Sequence, residues 1–385
     1  MIPYGKQTID ERDINAVINV LKSDFITQGK KVPEFEDKLC KYVGADYGIA
    51  VNSATSALHI AYLSLGLGEG DILWTTSTTF VATSNCAIHC GASVDFVDIS
   101  LKTGLLDLLA LKNKLEEAEQ NGKLPKILVP VHLTGTSCDM KEIKNLSERY
   151  KFKIVEDASH AIGGSYENNY IGSCKYSDIC VFSFHPVKII TTGEGGMAVT
   201  NNSVLAKKMR HLRSHGITKD RDLFIASNYG EWHYEQQSIG FNYRMTDIQA
   251  ALGISQLDKL NIFVKERNQI LNAYRNIFKD YLNIEMIEVP RNCETAGHLA
   301  VVLIKSSNGI SHKEIFSSLR REGIGVQLHY MPVHLQPFYR NKGFKEHHCK
   351  NSELYADTAI SLPIYPGLKN DDINYIGQKL IKIAN

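Results

Sequence analysis

The chain has 385 residues, which suits two domains better than one at about 100–200 residues per domain. Hydrophobic residues make up 43% and charged residues 22%, and this composition excludes general disorder because it supplies enough apolar surface for packed cores. Forty-three basic residues balance 42 acidic ones, so no overall field draws the protein to nucleic acid or to an anionic membrane.

Targeting signals and metal motifs are absent from the sequence pattern. The first 30 residues contain no apolar run of signal-peptide type, and no segment approaches the roughly 20 apolar residues that span a bilayer. The eight cysteines form no CxxC pair, which argues against a zinc ribbon or a thioredoxin-type site. We therefore expect a cytoplasmic protein without a metal centre, whose cysteines are mostly small buried hydrophobes.

Short apolar runs alternate with helical patterns through the first 200 residues. Strands are predicted at 48–51, 93–99, 126–133, 153–158, 178–184 and 196–200. Helices are predicted directly after the first strand, from the apolar spacing that starts at Ala54, and near 107–120 and 139–150. Continuously apolar strands that alternate with helices are typical of an α/β sheet covered on both faces.

The pattern changes after about residue 245. A long helix is predicted from 246 to 281, then a strand at 298–304, a helix at 311–321, a strand at 325–330 and a final helix that ends the chain. We interpret this as a large domain, residues 1–250, and a smaller α+β domain, residues 251–385.

Lys188 is the strongest candidate for chemistry. It lies in FSFHPVKIITTGEGG, residues 182–196, after an apolar strand and with no other charge for several residues on either side. Most lysines are simply solvated surface charges. A lysine in apolar surroundings loses its proton more easily, however, and a neutral amine is what Schiff-base chemistry requires.

Asp157 and His160 form a second signal, in EDASHAIGG. Asp157 stands at the carboxyl end of a predicted strand, where open α/β sheets bind their ligands. Read alone, Asp157 could be a helix cap or a metal ligand, with His160 as a second ligand, but no third ligand is evident. With a lysine nearby, a better interpretation is a carboxylate that pairs with a protonated pyridine nitrogen, as cofactors of the pyridoxal type need.

The segment VNSATSALH, residues 51–59, predicts a tight strand-to-helix turn. Its free backbone N–H groups, helix dipole and hydroxyl side chains suit a phosphate, although an ordinary Ser/Thr N-cap would leave the same pattern. GLGEGD, residues 66–71, resembles a dinucleotide loop but follows a helix and precedes a strand, so we predict a helix end and a turn. His211 and His215 lie four apart without a third partner and are interpreted as structural.

These segments together resemble the sugar aminotransferases of the DegT/DnrJ/EryC1/StrS family, which are fold-type I enzymes that use pyridoxal 5′-phosphate (PLP). The resemblance covers nearly the whole chain, and its matches occur in order: PYGKQTID, NSATSALH, TTFVATSN, EDASHAIGG, FSFHPVK, TTGEGG, RSHGI, GFNYRMTDIQAALG and SLPIYP. It implies an α/β fold in which a mixed, mostly parallel seven-stranded sheet forms the large domain and a smaller α+β domain follows. It also implies a PLP-dependent aminotransferase.

The resemblance assigns cofactor roles by position. Lys188 would bind PLP as a Schiff base, Asp157 would pair with the ring nitrogen, and His160 would lie beside the ring. Phe80 matches the aromatic residue that stacks on the ring. The phosphate would be held by Ala54, Thr55 and Ser183.

Further matches concern the partner subunit and the substrate. Asn242 matches an asparagine that reaches the phosphate of the neighbouring subunit's cofactor, which implies a homodimer with shared active sites. The positions that contact the nucleotide-sugar in family members are Arg213, His215, His329 and Tyr330. One departure is Ile189, an apolar residue where many members have a small residue or proline.

Within the family, FSFHPVK with ITT and EGG is similar to the pseudaminic-acid branch. The expected reaction moves an amino group from L-glutamate to C4 of UDP-2-acetamido-2,6-dideoxy-β-L-arabino-hexos-4-ulose and leaves 2-oxoglutarate. The alternative substrates are other UDP- or dTDP-4-keto-6-deoxy sugars. A non-enzymatic role, as a regulator or an inactive partner subunit, would be favoured by loss of Lys188 or Asp157, and both are present. A dehydrating branch of the family has histidine in place of the lysine, so it is set aside.

Overall fold

The computed structural model describes residues 1–226, 230–305 and 309–385. Its strands are β1 (Tyr47–Val51), β2 (Ile72–Thr76), β3 (Ser93–Val97), β4 (Ile127–Val129), β5 (Lys153–Asp157), β6 (Ser165–Tyr166), β7 (Asn169–Tyr170), β8 (Ile179–Ser183), β9 (Gly196–Thr200), β10 (Ile217–Thr218), β11 (Glu235–Gln236), β12 (Ile284–Met286), β13 (Cys293–Glu294), β14 (Ala300–Ile304) and β15 (Ala359–Leu362).

Thirteen α-helices lie in the described ranges. They are α1 (Glu11–Leu21), α2 (Lys31–Val43), α3 (Ala54–Ser64), α4 (Ala82–His89), α5 (Leu108–Gln120), α6 (Met140–Tyr150), α7 (Ser203–Arg213), α8 (Asp247–Leu257), α9 (Leu260–Phe278), α10 (His312–Arg321), α11 (Pro337–Arg340), α12 (Lys350–Thr358) and α13 (Asn370–Ala384).

The large sheet has seven strands in the order β1-β9-β8-β5-β4-β2-β3. Every pair is parallel except the two that β9 makes with β1 and β8, so β9 alone is reversed and the sheet is mixed, as expected. All six strands predicted for the first 200 residues are present. Two details differ: β2 was not predicted, and β4 ends at Val129 because Pro130 has no N–H to continue the ladder.

Helices cover both faces of this sheet. On one face α3, α4 and α7 pack over apolar strand residues such as Val155, Val181 and Ala198. On the other face α2 packs over residues such as Ala50 and Phe182, and α5 and α6 pack over Leu128 and Ile154, so that β8 and β9 are buried along their whole length. The α/β class is therefore confirmed, and the buried strands explain why their sequences are apolar without alternation.

The C-terminal part builds a smaller antiparallel sheet, β12-β14-β15, against α9, α10 and α13. The strand predicted at 325–330 is wrong: this segment makes only an isolated bridge between Gln327 and Ser361, and the strand that pairs with β14 is β15. The single helix predicted for 246–281 is also wrong. It divides into α8 and α9 near Lys259, whose ammonium reaches back to Asp13 of α1.

The tertiary contacts do not decide the domain boundary at residues 250/251, which stays a prediction. Contacts cross it, since Ile2 near the N-terminus forms a parallel bridge with Ile324 and packs on the smaller core. Among the described helices, none combines the length and the apolar character needed to cross a membrane.

Candidate active site

A cavity of about 800 Å³ lies at the edge of the large sheet where β1, β5 and β8 end. Its size falls in the roughly 300–1,000 Å³ range of small-molecule sites. Because β5 and β8 are parallel neighbours, the side chains at and after their carboxyl ends meet there. Nine of the twelve site residues predicted from the sequence line this cavity: Ala54, Thr55, Phe80, Asp157, His160, Ser183, Lys188, His329 and Tyr330.

Lys188 follows β8 in a short turn, in which its N–H donates to the carbonyl of His185 at 2.9 Å. Burial of the ammonium lowers its pKa from 10.5 to about 8, and the negative charge of Asp157 acts in the opposite direction. No described residue accepts a hydrogen bond from the Lys188 amine. A substantial fraction of this amine is therefore neutral and uncommitted near neutral pH, as nucleophilic chemistry at a carbonyl requires.

Asp157 ends β5 and is 5% exposed. Its Oδ2 accepts a hydrogen bond from the Thr83 hydroxyl at 2.7 Å, and its Oδ1 accepts from the Ser159 N–H at 3.1 Å and the Ser159 hydroxyl at 2.6 Å. These donors fix the carboxylate and stabilise its negative charge. A carboxylate held in this way suits a cationic N–H partner. Nowhere in the described ranges do three metal-binding side chains come together.

The amino end of α3 faces the cavity from the end of β1. The Ser53 hydroxyl caps the helix by accepting from the Ser56 N–H at 3.1 Å, while the N–H groups of Ala54 and Thr55 donate to no described residue. A Cβ on Gly196 would lie 2.5 Å from the Ala54 nitrogen, so only glycine lets β9 lie this close to the start of α3 without displacing these amides. Free amides at a helix N-terminus are a binding site for an anion such as a phosphate.

The wall beside Lys188 is aromatic. The His160 Nε2 and the Tyr330 hydroxyl are hydrogen bonded at 3.1 Å, whereas the buried His160 Nδ1 has no partner. The His298 ring lies 4.3 Å from the His160 ring, and burial, assisted by nearby cationic groups, lowers the pKa of both imidazoles well below the usual value. The Phe80 ring is 57% exposed at this wall and lies 6.0 Å from the Tyr330 ring.

Four contributors were missed from the sequence: Thr83, Ser159, Gly196 and His298. Ser159 could have been found, because a serine two residues after an aspartate commonly bonds back to its carboxylate. Thr83 and Gly196 lie inside the quoted motifs, but their roles depend on contacts between distant segments. His298 has no local signal, since it reaches the cavity only because the 295–299 segment packs beside residues 134–135.

Three predicted site residues lie outside the cavity in this single chain. The Arg213 guanidinium pairs with Glu36 at 2.5 Å and donates to the Ala50 carbonyl at 2.9 Å. The His215 N–H donates to the Phe241 carbonyl, and Asn242 is exposed on the following segment. Their roles toward a nucleotide-sugar and a neighbouring cofactor stay predictions. His329, by contrast, lines the cavity, and its Nδ1 is hydrogen bonded to the Ser361 hydroxyl at 2.9 Å.

The sequence profile of the DegT/DnrJ/EryC1/StrS aminotransferase family matches residues 7–381. The chain belongs to this family. It is 38% identical over 383 residues to a Campylobacter jejuni protein named UDP-4-amino-4,6-dideoxy-N-acetyl-beta-L-altrosamine transaminase, and the match covers 100% of this chain and 97% of that protein.

Two solved structures share the fold along the whole chain. Helicobacter pylori PseC, described as an aminotransferase of pseudaminic acid biosynthesis, superposes with a TM-score of 0.91 at 32% identity and covers 100% of this chain and 99% of its own. A Streptococcus pneumoniae protein described as a putative sugar aminotransferase, in its PMP-form, also gives a TM-score of 0.91, at 29% identity and the same coverage. The fold-type I architecture is therefore confirmed.

Aminotransferases of the DegT/DnrJ/EryC1/StrS family depend on PLP, and the cavity residues fit that group. The free amides of Ala54 and Thr55 and the Ser183 hydroxyl suit the phosphate, and the Asp157 carboxylate suits the ring N–H. The exposed Phe80 ring offers a stacking surface, and the Lys188 amine is available for attachment.

Proposed function

We propose that this chain transfers an amino group from L-glutamate to C4 of a UDP-4-keto-6-deoxy-N-acetylhexosamine, UDP-2-acetamido-2,6-dideoxy-β-L-arabino-hexos-4-ulose. The observation that carries an amino-transfer reaction is the pairing, in one cavity, of a lysine of lowered pKa with a hydrogen-bonded aspartate. The sugar is inferred from the 38% identity to the C. jejuni transaminase and from the fold shared with PseC.

PLP, when bound, would carry the amino group from donor to acceptor and take up the electrons released when a proton leaves carbon. Asp157 would hold the proton on the ring nitrogen, because its charge is fixed by three donors and faces the cavity. Lys188 would first hold the cofactor and then, once released, move a proton between donor or sugar and cofactor as a general acid and base. In the cofactor-free chain, burial already lowers the pKa of this amine to about 8.

The remaining lining residues would bind and orient. Ala54 and Thr55 would hold the phosphate through their amides, with Ser183 at the neighbouring strand end. His160, kept neutral by burial, would face the ring edge without adding a positive charge next to Lys188. His329 and Tyr330 would contact the sugar from the wall that Tyr330 shares with His160.

The proposed active unit is a homodimer in which Asn242 serves the partner's site. In support, Asn242 is exposed and lies outside the cavity of its own chain. Arg213 and His215 lie next to Asn242, because the backbones of Ser214 and Asn242 form an isolated β-bridge. The proposed compartment is the cytoplasm, in keeping with eight free cysteines.

A panel of UDP- and dTDP-4-keto sugars, each incubated with glutamate and the PLP-loaded protein, tests the substrate. We expect one UDP-4-keto-6-deoxy-N-acetylhexosamine to be aminated far faster than the others, and NMR of the product gives the C4 configuration. Equal turnover of all sugars would contradict the assignment. Preferred turnover of a dTDP-sugar would favour the alternative, an aminotransferase for a different 4-keto sugar.

A further inference from the structure

The segment from Ser77 to Thr83 carries two contributions to the cofactor cavity. It follows β2, presents the Phe80 ring to the cavity, and supplies the Thr83 hydroxyl that donates to Asp157. The Thr79 and Thr83 hydroxyls are also hydrogen bonded to each other at 2.8 Å. The direction in which this segment leaves the sheet therefore sets both the stacking surface and one support of the carboxylate.

Ser77, the first residue of this segment, is bonded to a residue more than 250 positions away. Its hydroxyl lies 2.6 Å from the Nδ1 of His334, and the Nε2 of His334 lies 2.9 Å from a carboxylate oxygen of Glu353. Ser77 and His334 are both 0% exposed. Since a carboxylate can only accept, the His334 Nε2 carries the proton, and the neutral ring accepts at Nδ1 from the Ser77 hydroxyl.

Further contacts join the same two parts of the chain. The Val333 N–H donates to the Ser77 carbonyl at 2.9 Å, and the Tyr339 hydroxyl is 2.7 Å from polar atoms of both Ser84 and Asn85 in α4. Burial lowers the pKa of His334, and the Glu353 charge only partly offsets this, which agrees with a neutral ring. The segment is thus held from outside by residues 333–353.

A serine, a histidine and a glutamate that are linked one after the other by hydrogen bonds could also form the nucleophile of a hydrolase. The burial of Ser77 and His334 excludes that role, because no substrate carbonyl can reach the serine oxygen. Neither residue lines the cofactor cavity. Any effect on the reaction must therefore pass through the segment that Ser77 begins.

We propose that Ser77, His334 and Glu353 form a positioning relay that fixes the 77–83 segment, so that Phe80 lies over the cofactor ring and Thr83 reaches Asp157. This role rests on the proposed use of PLP but not on the identity of the sugar. Without the relay, the protein folds but holds the cofactor more loosely and in a less defined orientation.

Titration of the cofactor-free protein with PLP tests the relay without measuring turnover. Ser77→Ala and His334→Leu remove its hydrogen bonds, whereas Glu353→Gln keeps an oxygen that can accept from Nε2. His312→Leu is the matched control, because the His312 Nε2 makes a 2.9 Å bond to the Ala359 carbonyl away from the cavity. The readouts are the PLP dissociation constant, the visible circular dichroism of the bound cofactor, and a thermal melt.

We expect Ser77→Ala and His334→Leu to raise the dissociation constant about tenfold, equivalent to about 1.4 kcal/mol and typical of a buried polar group left unpaired. The visible circular dichroism of PLP bound to these two variants should also weaken. The PLP dissociation constants of Glu353→Gln and His312→Leu should stay within about twofold of the wild-type value. Unchanged binding and dichroism in Ser77→Ala, which removes a single oxygen and should fold even if His334→Leu does not, would overturn the relay. So would an equal effect of His312→Leu. Failure of the wild-type protein to bind PLP would overturn the proposed function as well.

Discussion

The titration of Lys188 in the cofactor-free protein measures the electrostatics of the cavity directly. With a pKa of about 8, about a quarter of the amine is neutral near pH 7.5, against roughly 0.1% for a lysine at its ordinary pKa. Burial causes this shift, and the charge of Asp157 limits it. Asp157→Asn removes the charge that stabilises the ammonium, so the pKa of Lys188 should fall further.

The assay is competitive acetylation of cofactor-free protein across a pH series, followed by peptide mapping of each lysine. Lys188 should become reactive about two pH units below the bulk of the lysines, and the reactive range should move lower in Asp157→Asn. Lys379 is an internal control of opposite sign, because its hydrogen bond to Glu322 raises its pKa. Two results would refute this reasoning: a Lys188 that becomes reactive at the same pH as the ordinary lysines, or a Lys188 pKa that rises in Asp157→Asn.

Four further outcomes follow from the same geometry. Borohydride reduction of the PLP-loaded protein should attach the cofactor to the peptide that contains Lys188 and to no other, and Lys188→Ala should fold without turning over. Asp157→Asn should keep the fold, judged by its melt, and lose most transaminase activity; near-normal turnover would make Asp157 only a packing residue. Gly196→Ala should weaken PLP binding at least about tenfold, since its Cβ would lie 2.5 Å from the Ala54 nitrogen, while Gly68→Ala, with no atom within 4 Å, should bind as wild type. Mixing inactive Lys188→Ala with an impaired Asn242→Ala should restore activity through mixed dimers with one intact site, and no recovery after proven subunit exchange would assign Asn242 to its own chain.

Six of the seven strands of the large sheet could be predicted because they are mostly buried between two helical layers and therefore read as short apolar runs. The same logic failed where tertiary contacts override local pattern. The helical periodicity through residue 258 is unbroken, yet the helix is interrupted at Lys259, whose ammonium is bound by Asp13 of a distant helix. Strand β15 is only four residues long and precedes a proline, so its sequence carried little signal.

The residues of the candidate site divide in the same way, into those that the local sequence predicts and those that depend on tertiary contacts. Lys188 was identified because it is an isolated charge in an apolar segment that follows a strand, and Asp157 because it stands at the carboxyl end of a strand; both are features of the local sequence. Thr83 contacts Asp157, which lies 74 residues further along the chain, and the His298 ring contacts the His160 ring on a different segment. No spacing rule in the sequence reports such contacts. Arg213 was predicted from a motif, but its observed partner, Glu36, lies 177 positions away.

The reversed strand β9 has a consequence for the motion of the lysine. Gly196, its first residue, pairs with Ser183, the last residue of β8, and with Val51, the last residue of β1. The chain between Ser183 and Gly196 is therefore a closed loop of 12 residues whose two ends are hydrogen bonded side by side. A parallel β9 would instead need a crossover connection that leaves this edge of the sheet. Lys188 can swing its side chain, but the loop is tied at its base by the Phe184 N–H to the Gly195 carbonyl and by the Thr192 N–H to the Phe184 carbonyl, at 2.9 and 3.0 Å. Slow exchange of these two amide protons would report that the backbone on either side of the lysine is held in place.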